Sequence, residues 1–149
     1  MKIQDIVLAK LLEGMPIPND IEGVIDMTFY KEITLDNLDF QQELFGLFLD
    51  SARENIRGLI DALEKNDNAR WHFIAHNFKG SAATIGAFSL SGDLEYAEHN
   101  QKDNGEEKAK ILQNIKEKSV KAILYIENFF KTHNLDRQYV LCKKDPADY

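Results

Sequence analysis

The chain has 149 residues, 44% of them hydrophobic and 29% charged, the size and make-up of one domain built around one core. Its formal net charge of −7, without any dense Lys/Arg cluster interleaved with aromatics, argues against nucleic acid, whose phosphates repel an acidic surface. The longest apolar runs, such as LFGLFL, fall far short of the about 20 residues that cross a bilayer, and the lone Cys142 allows no internal disulfide, so a cytoplasmic protein off the membrane is the expectation.

In chain order, MKIQDIVLAKLLEG predicts a short amphipathic helix over residues 2–13, with Ile3, Val7 and Leu11 on one face. Asp5 and Lys10 interrupt it and no small-residue cleavage site comes after it, so it does not read as a secretion signal. Pro16 and Pro18 end it, and a second short helix or turn is expected near Ile21–Tyr30. Residues 1–35 thus form an N-terminal helical segment expected to pack on the helices C-terminal to it.

From Phe40 the apolar residues recur at Phe40, Leu44, Leu47, Phe48, Ala52, Ile56, Ile60 and Leu63, the spacing of one helix face. The start of this helix is expected at Asp36 or at Asp39, the latter with Gln42 as capping-box partner, and KNDN at 65–68 ends it. The next helix carries Trp71, Ile74, Ala75, Phe78, Ala82 and Ile85 and runs to about Gly86. A shorter one comes next, with Leu90, Leu94 and Ala97 inward. After the polar run EHNQKDNG, Asn104 with Glu107 caps a last long helix showing Leu112, Ile115, Ser119, Ala122, Ile123, Ile126 and Phe130 on one side. Four such stripes can be buried only against one another, which predicts an all-α protein: an antiparallel four-helix bundle over 36–133 with an additional N-terminal helix, and a C-terminal tail over 134–149. The large aromatics, Phe40, Phe45, Phe48, Trp71, Phe78, Phe129 and Phe130, are read as packing residues.

The second bundle helix raises a question of its own, because the stretch HNFKGSAATIG places a glycine where it weakens a helix interior by roughly 1 kcal/mol relative to alanine. At about 100° per residue, a helix that turns Trp71, Ile74, Phe78 and Ala82 inward points His76 outward. Lys79, Gly80 and Ala83 then lie within about 60° of it on the same face, and His72 sits one turn earlier. An exposed imidazole with small residues beside it leaves space for another protein's surface. Its chemistry is nucleophilic: the neutral ring offers a lone pair, a neighbouring ammonium favours that neutral form, and the same ammonium can pair with phosphoryl oxygens.

The pattern AHNFKGSAATIGA, preceded by DALEKNDNARWHFI and succeeded by LSGDLEYAE, resembles the histidine phosphotransfer (HPt) domain over about residues 36–130. The resemblance implies a four-helix bundle that carries phosphate between receiver domains in a multistep two-component phosphorelay. It places the phosphoacceptor on His76, the phosphate-side cation on Lys79 and the clearance glycine on Gly80; Ser81 falls on the next small position and is assigned to packing. It further implies a response-regulator receiver domain and a hybrid sensor histidine kinase as partners. Mg²⁺ would then sit on the receiver, not on this chain, which is expected to be a monomeric carrier without kinase activity of its own. Asn77 and Phe78 depart mildly from the family's usual small polar residue and leucine.

His72, Phe73 and Ala83 are the candidate partner-binding residues around the acceptor. Phe73 projects to the His76 side, and either packs under the N-terminal helix or belongs to a docking surface. The i, i+4 pair His72 and His76 is also a possible metal-binding element, but no Asp, Glu or Cys on that face completes a ligand shell, so no metal is expected. The acidic residues of 93–107 read as a solvated helix end and loop. No carboxylate pair, serine or cysteine nucleophile motif or Walker-type loop is present. The alternative to a phosphorelay role is a non-catalytic helical adaptor or inhibitor that binds a signalling partner through the same face.

Overall fold

A computed structural model describes residues 21–102 and 104–135; the helix expected over 2–13, Cys142 and the tail beyond Leu135 lie outside the described residues. The described residues form five helices and no strand: α1 (Met27–Ile33), α2 (Leu38–Glu64), α3 (Asn68–Thr84), α4 (Phe88–His99) and α5 (Gly105–Thr132). The connections from α2 to α5 are too short to do anything but reverse the chain, so successive helices run antiparallel. Helix α2 packs on α3 and α5, and α4 on the same two, which closes a four-helix bundle.

The N-termini of α1, α2, α3 and α5 are written into the sequence by one repeated device, whereas α4 begins at Ala87 without a side-chain cap. Asp26, Asn37, Asp67 and Asn104 each accept a hydrogen bond from the backbone N–H three residues on, at 2.9–3.1 Å, and so satisfy a donor that the helix itself leaves open. At the C-termini of α2 and α3, Asn66 (φ 54°) and Gly86 (φ 79°) adopt the left-handed conformation that returns the chain, with Asp67 N–H bonded to Ala62 O and Ala87 N–H to Ala82 O. The cap of α2 is Asn37, not Asp36 or Asp39. Leu35 and Asp36 are used up in a left-handed turn (φ 53° and 51°) that closes α1, and Asp39 lies in the first helical turn.

The core holds Phe45, Phe48, Ala52, Ile56 and Leu59 of α2, Trp71, Ala75, Phe78 and Ala82 of α3, Leu90, Leu94 and Ala97 of α4, and Ile115, Ala122, Ile123, Ile126 and Phe130 of α5. The stripes expected for α3, α4 and α5 are the buried ones apart from Ile74, which is half-buried. On α2 the expected stripe is offset: Phe40 and Leu47 are exposed, and Gln41, Phe45 and Leu59 take the inward positions. At the start of α2 the inward residues Gln41 and Phe45 meet α1. Tyr30 is fully buried, its ring stacks on Phe45 with centroids 4.3 Å apart, and its hydroxyl donates to Gln41 O at 2.8 Å. Thr34 Oγ1 donates to Tyr30 O and accepts from Gln41 Nε2, so the Tyr30 hydroxyl and the Gln41 amide nitrogen both find partners within this contact. Burial pushes the Tyr30 phenol well above its ordinary value.

Helix α1 begins later than expected, and it reaches the α3–α4 turn as well as α2. Asp26 N–H donates to Gly86 O at 2.9 Å, and Phe29 meets Phe88 edge-on at 4.9 Å. At the other end of the bundle Lys108 is buried, an arrangement the hydropathy pattern hides. Its ammonium donates to Asn68 Oδ1 at 2.5 Å and stands 5.3 Å from the centre of the Trp71 ring, fixing the start of α5 against the start of α3.

Candidate functional site

Helix α3 is built with one face for the core and one for solvent, and the outward strip runs His72, His76, Gly80, Ala83. With Trp71, Ala75, Phe78 and Ala82 fully buried, His76 has no choice but to point away from them, and its side chain is 63% exposed. Lys79 flanks it on the α4 side and is mostly covered; Ala83 is half-buried and Phe73 is 65% exposed on the opposite flank. A methyl group added to Gly80 would meet nothing within 4 Å, so the space one turn beyond His76 is open.

What organises the site is a residue of α4 that charge patterning alone assigns to a solvated helix end. Glu98 is buried, 5% exposed, and three groups of α3 converge on it. His76 Nδ1 lies 2.5 Å from Glu98 Oε1, Lys79 Nζ 3.1 Å from Glu98 Oε2, and His72 Nδ1 3.0 Å from the Glu98 backbone oxygen. Burial opposes ionisation of the Glu98 carboxyl, but hydrogen bonds from His76 and Lys79 together with the Lys79 charge outweigh it and hold the group below its ordinary value. Neither acceptor has a proton to give, since one is an ionised carboxylate and the other a backbone carbonyl. Both histidines therefore carry their proton on Nδ1 and donate it.

Two expectations change as a result. Lys79 is not a free cation beside the imidazole: it is ion-paired to Glu98, and its charge reaches the site together with that of the carboxylate. The acidic stretch 93–107 is not uniformly solvated, because Glu98 belongs to the interface between α3 and α4. A signal for it did exist. Glu98 comes four residues after Leu94, so it stands in register with the Leu90–Leu94 stripe, and a carboxylate there is tolerable only if cations or donors meet it.

On the side of α3 away from Glu98, an open groove of about 480 Å³ runs between α2 and α3, lined by Leu44, Leu47, Phe48, Ser51, Ser81 and Thr84. Ser81 is half-buried in the wall of this groove, so its small size serves an open surface as well as packing. Among the described residues no group of three or more His, Cys, Asp or Glu side chains could hold a metal ion, and no helix is long and apolar enough to cross a membrane.

Chemically, the site offers an exposed Nε2 lone pair on a ring whose other nitrogen is hydrogen-bonded to an anion. A nearby ammonium and open space complete it. The family model for the Hpt domain matches residues 43–122, which is more than half of the chain and contains His76, Lys79, Gly80 and Glu98. No curated protein and no solved structure matches the chain.

Proposed function

The chain belongs to the Hpt domain family, whose members carry phosphoryl groups in phosphorelays, and from that premise we propose that it accepts a phosphoryl group on His76 and exchanges it with the aspartate of a response-regulator receiver domain. The observation that carries this reading is the His76 ring: exposed at Nε2, anchored at Nδ1 by Glu98, and beside the open space at Gly80.

In the transfer, His76 Nε2 attacks the phosphorus of the partner's aspartyl phosphate. The P–N bond forms as the P–O bond to the aspartate breaks, and the carboxylate leaves with the bonding pair. The ring becomes positively charged, with its proton still on Nδ1, and the Glu98 carboxylate faces that charge at 2.5 Å. No proton has to leave the histidine in either direction, so the step is reversible by the same path. Lys79, which shares the Glu98 carboxylate with His76, offsets charge on the equatorial oxygens as the phosphoryl group arrives. Mg²⁺ belongs to the acidic pocket of the receiver in this reading. Phe73 and Ala83, with His72 at the rim, form the surface on which the receiver and the receiver-bearing hybrid kinase dock. The protein works as a cytoplasmic carrier without kinase activity of its own.

The test is incubation with a phosphorylated receiver domain or an active hybrid kinase. The chain should take up an acid-labile, alkali-stable phosphate, and His76→Gln should abolish it while the helical circular dichroism stays intact. Labelling that persists in His76→Gln rules out this assignment. Partner binding by that variant, with no phosphate uptake by either protein, would mark an adaptor instead.

A further inference from the structure

His72 and His76 stand one turn apart on the outward face of α3, and both lean on the same residue of α4. His72 Nδ1–H donates to the Glu98 carbonyl at 3.0 Å and His76 Nδ1–H to the Glu98 carboxylate at 2.5 Å. In each neutral ring the proton is thereby committed to Nδ1, and Nε2 is left as a bare lone pair. An i, i+4 histidine pair on a helix is the spacing at which two imidazoles reach one cation. Metal-binding histidines characteristically have the second nitrogen bonded to a carbonyl or carboxylate, which fixes tautomer and ring orientation. Here both halves of that arrangement exist before any metal arrives. Lys79, which shares Glu98 with the two histidines, is ion-paired with its carboxylate at 3.1 Å, so its repulsion of a second cation is offset.

We propose that His72 and His76 form a two-imidazole site for a borderline divalent cation of the Zn²⁺ or Cu²⁺ class, and that occupation of His76 Nε2 by this cation blocks phosphorylation. Imidazole selects such ions over Mg²⁺ and Ca²⁺, which demand oxygen ligands, so the Mg²⁺ of a receiver does not compete. Two protein ligands leave the remaining positions to water. The site is then exchangeable, in keeping with the absence of a third His, Cys, Asp or Glu ligand among the described residues. The blocking effect rests on His76 being the phosphoacceptor; the metal site does not.

Zn²⁺ alone, titrated calorimetrically into the intact protein and into His72→Gln, His76→Gln, His99→Gln and His133→Gln, tests the site. One binding event is expected in the parent, lost in His72→Gln and His76→Gln while their circular dichroism is unchanged, and kept in the other two; Mg²⁺ should give none. Zn²⁺ at saturating concentration should then stop phosphate uptake by the parent. His72→Gln, compared with its own metal-free rate, should be insensitive. No uptake of Zn²⁺, or uptake that survives His72→Gln, overturns the proposal. Zn²⁺ binding that depends on both histidines in a protein that never takes phosphate would leave the metal site standing and sink the phosphorelay reading instead.

Discussion

Glu98 on α4 sets its carboxylate 2.5 Å from His76 Nδ1 on α3, so the solvent-facing ring is positioned from the interior of the bundle. The carboxylate holds the proton on the inner nitrogen and leaves the outer one free, and it faces the positive charge that phosphorylation puts on the ring. Removing it by Glu98→Ala should slow phosphate uptake roughly 10- to 100-fold, by analogy with the loss when the orienting partner of a metal-binding histidine is removed. Glu98→Gln, whose amide oxygen still accepts from Nδ1–H, should recover part of that loss. Equal rates for the two variants in a stopped time course would mean that Glu98 only fills space.

The bundle and the acceptor strip were legible because they depend on local rules. Helical spacing selected the buried faces of α3, α4 and α5, and the turn at KNDN announced itself by composition. The resemblance carried by HNFKGSAATIG pointed to the strip that the structure turns outward. What stayed hidden involves residues distant in the chain. Glu98 lies 22 residues from His76, and Lys108 lies 40 from Asn68; hydropathy treats both as surface charges because it cannot see the partner that makes their burial tolerable. The offset at the start of α2 is of the same kind, since the inward Gln41 and Phe45 are met there by Tyr30 of α1.

Gly80 separates stability from access. Because a methyl group there would meet nothing within 4 Å, Gly80→Ala should stabilise the fold by roughly 0.5–1 kcal/mol through helix propensity alone. Gly80→Phe should fold as well, yet fill the open space beside His76 and slow transfer from a receiver several-fold or more. Urea melts alongside a transfer time course would show the split. Normal transfer by the Phe variant would remove the clearance argument.

Gly86 is the opposite case, a glycine required by the backbone. Its φ of 79° is left-handed, and an added Cβ would stand 2.9 Å from Asp26 O and 3.3 Å from Asp26 N. These are main-chain atoms in the segment that donates to Gly86 O, so neither side can yield without breaking that bond. Gly86→Ala should cost about 2 kcal/mol or more in urea unfolding, the conformational penalty of about 1–2 kcal/mol being joined by the clash. A variant as stable as the parent would show that the α1 contact is not built as described.

Acid should weaken the fold through Glu98. Its carboxyl is held below the ordinary value of 4.5, so near and below that value the unfolded chain binds a proton that the folded chain does not. The stability it contributes is present in full above pH 4.5 and drains away as the pH falls through the lower folded value. Asp61 also titrates low, held there by a hydrogen bond from Lys65 and then one from Arg70, but it is common to parent and variant. The difference between parent and Glu98→Gln therefore reports the buried carboxylate together with the groups bonded to it, His76 and Lys79. Urea unfolding of both proteins at pH 7 and pH 3 should show the parent losing more stability than the variant over that interval. Parallel losses would mean that the His76 and Lys79 contacts do not favour the charged form, and that Glu98 is not the ionised acceptor that fixes the proton on Nδ1.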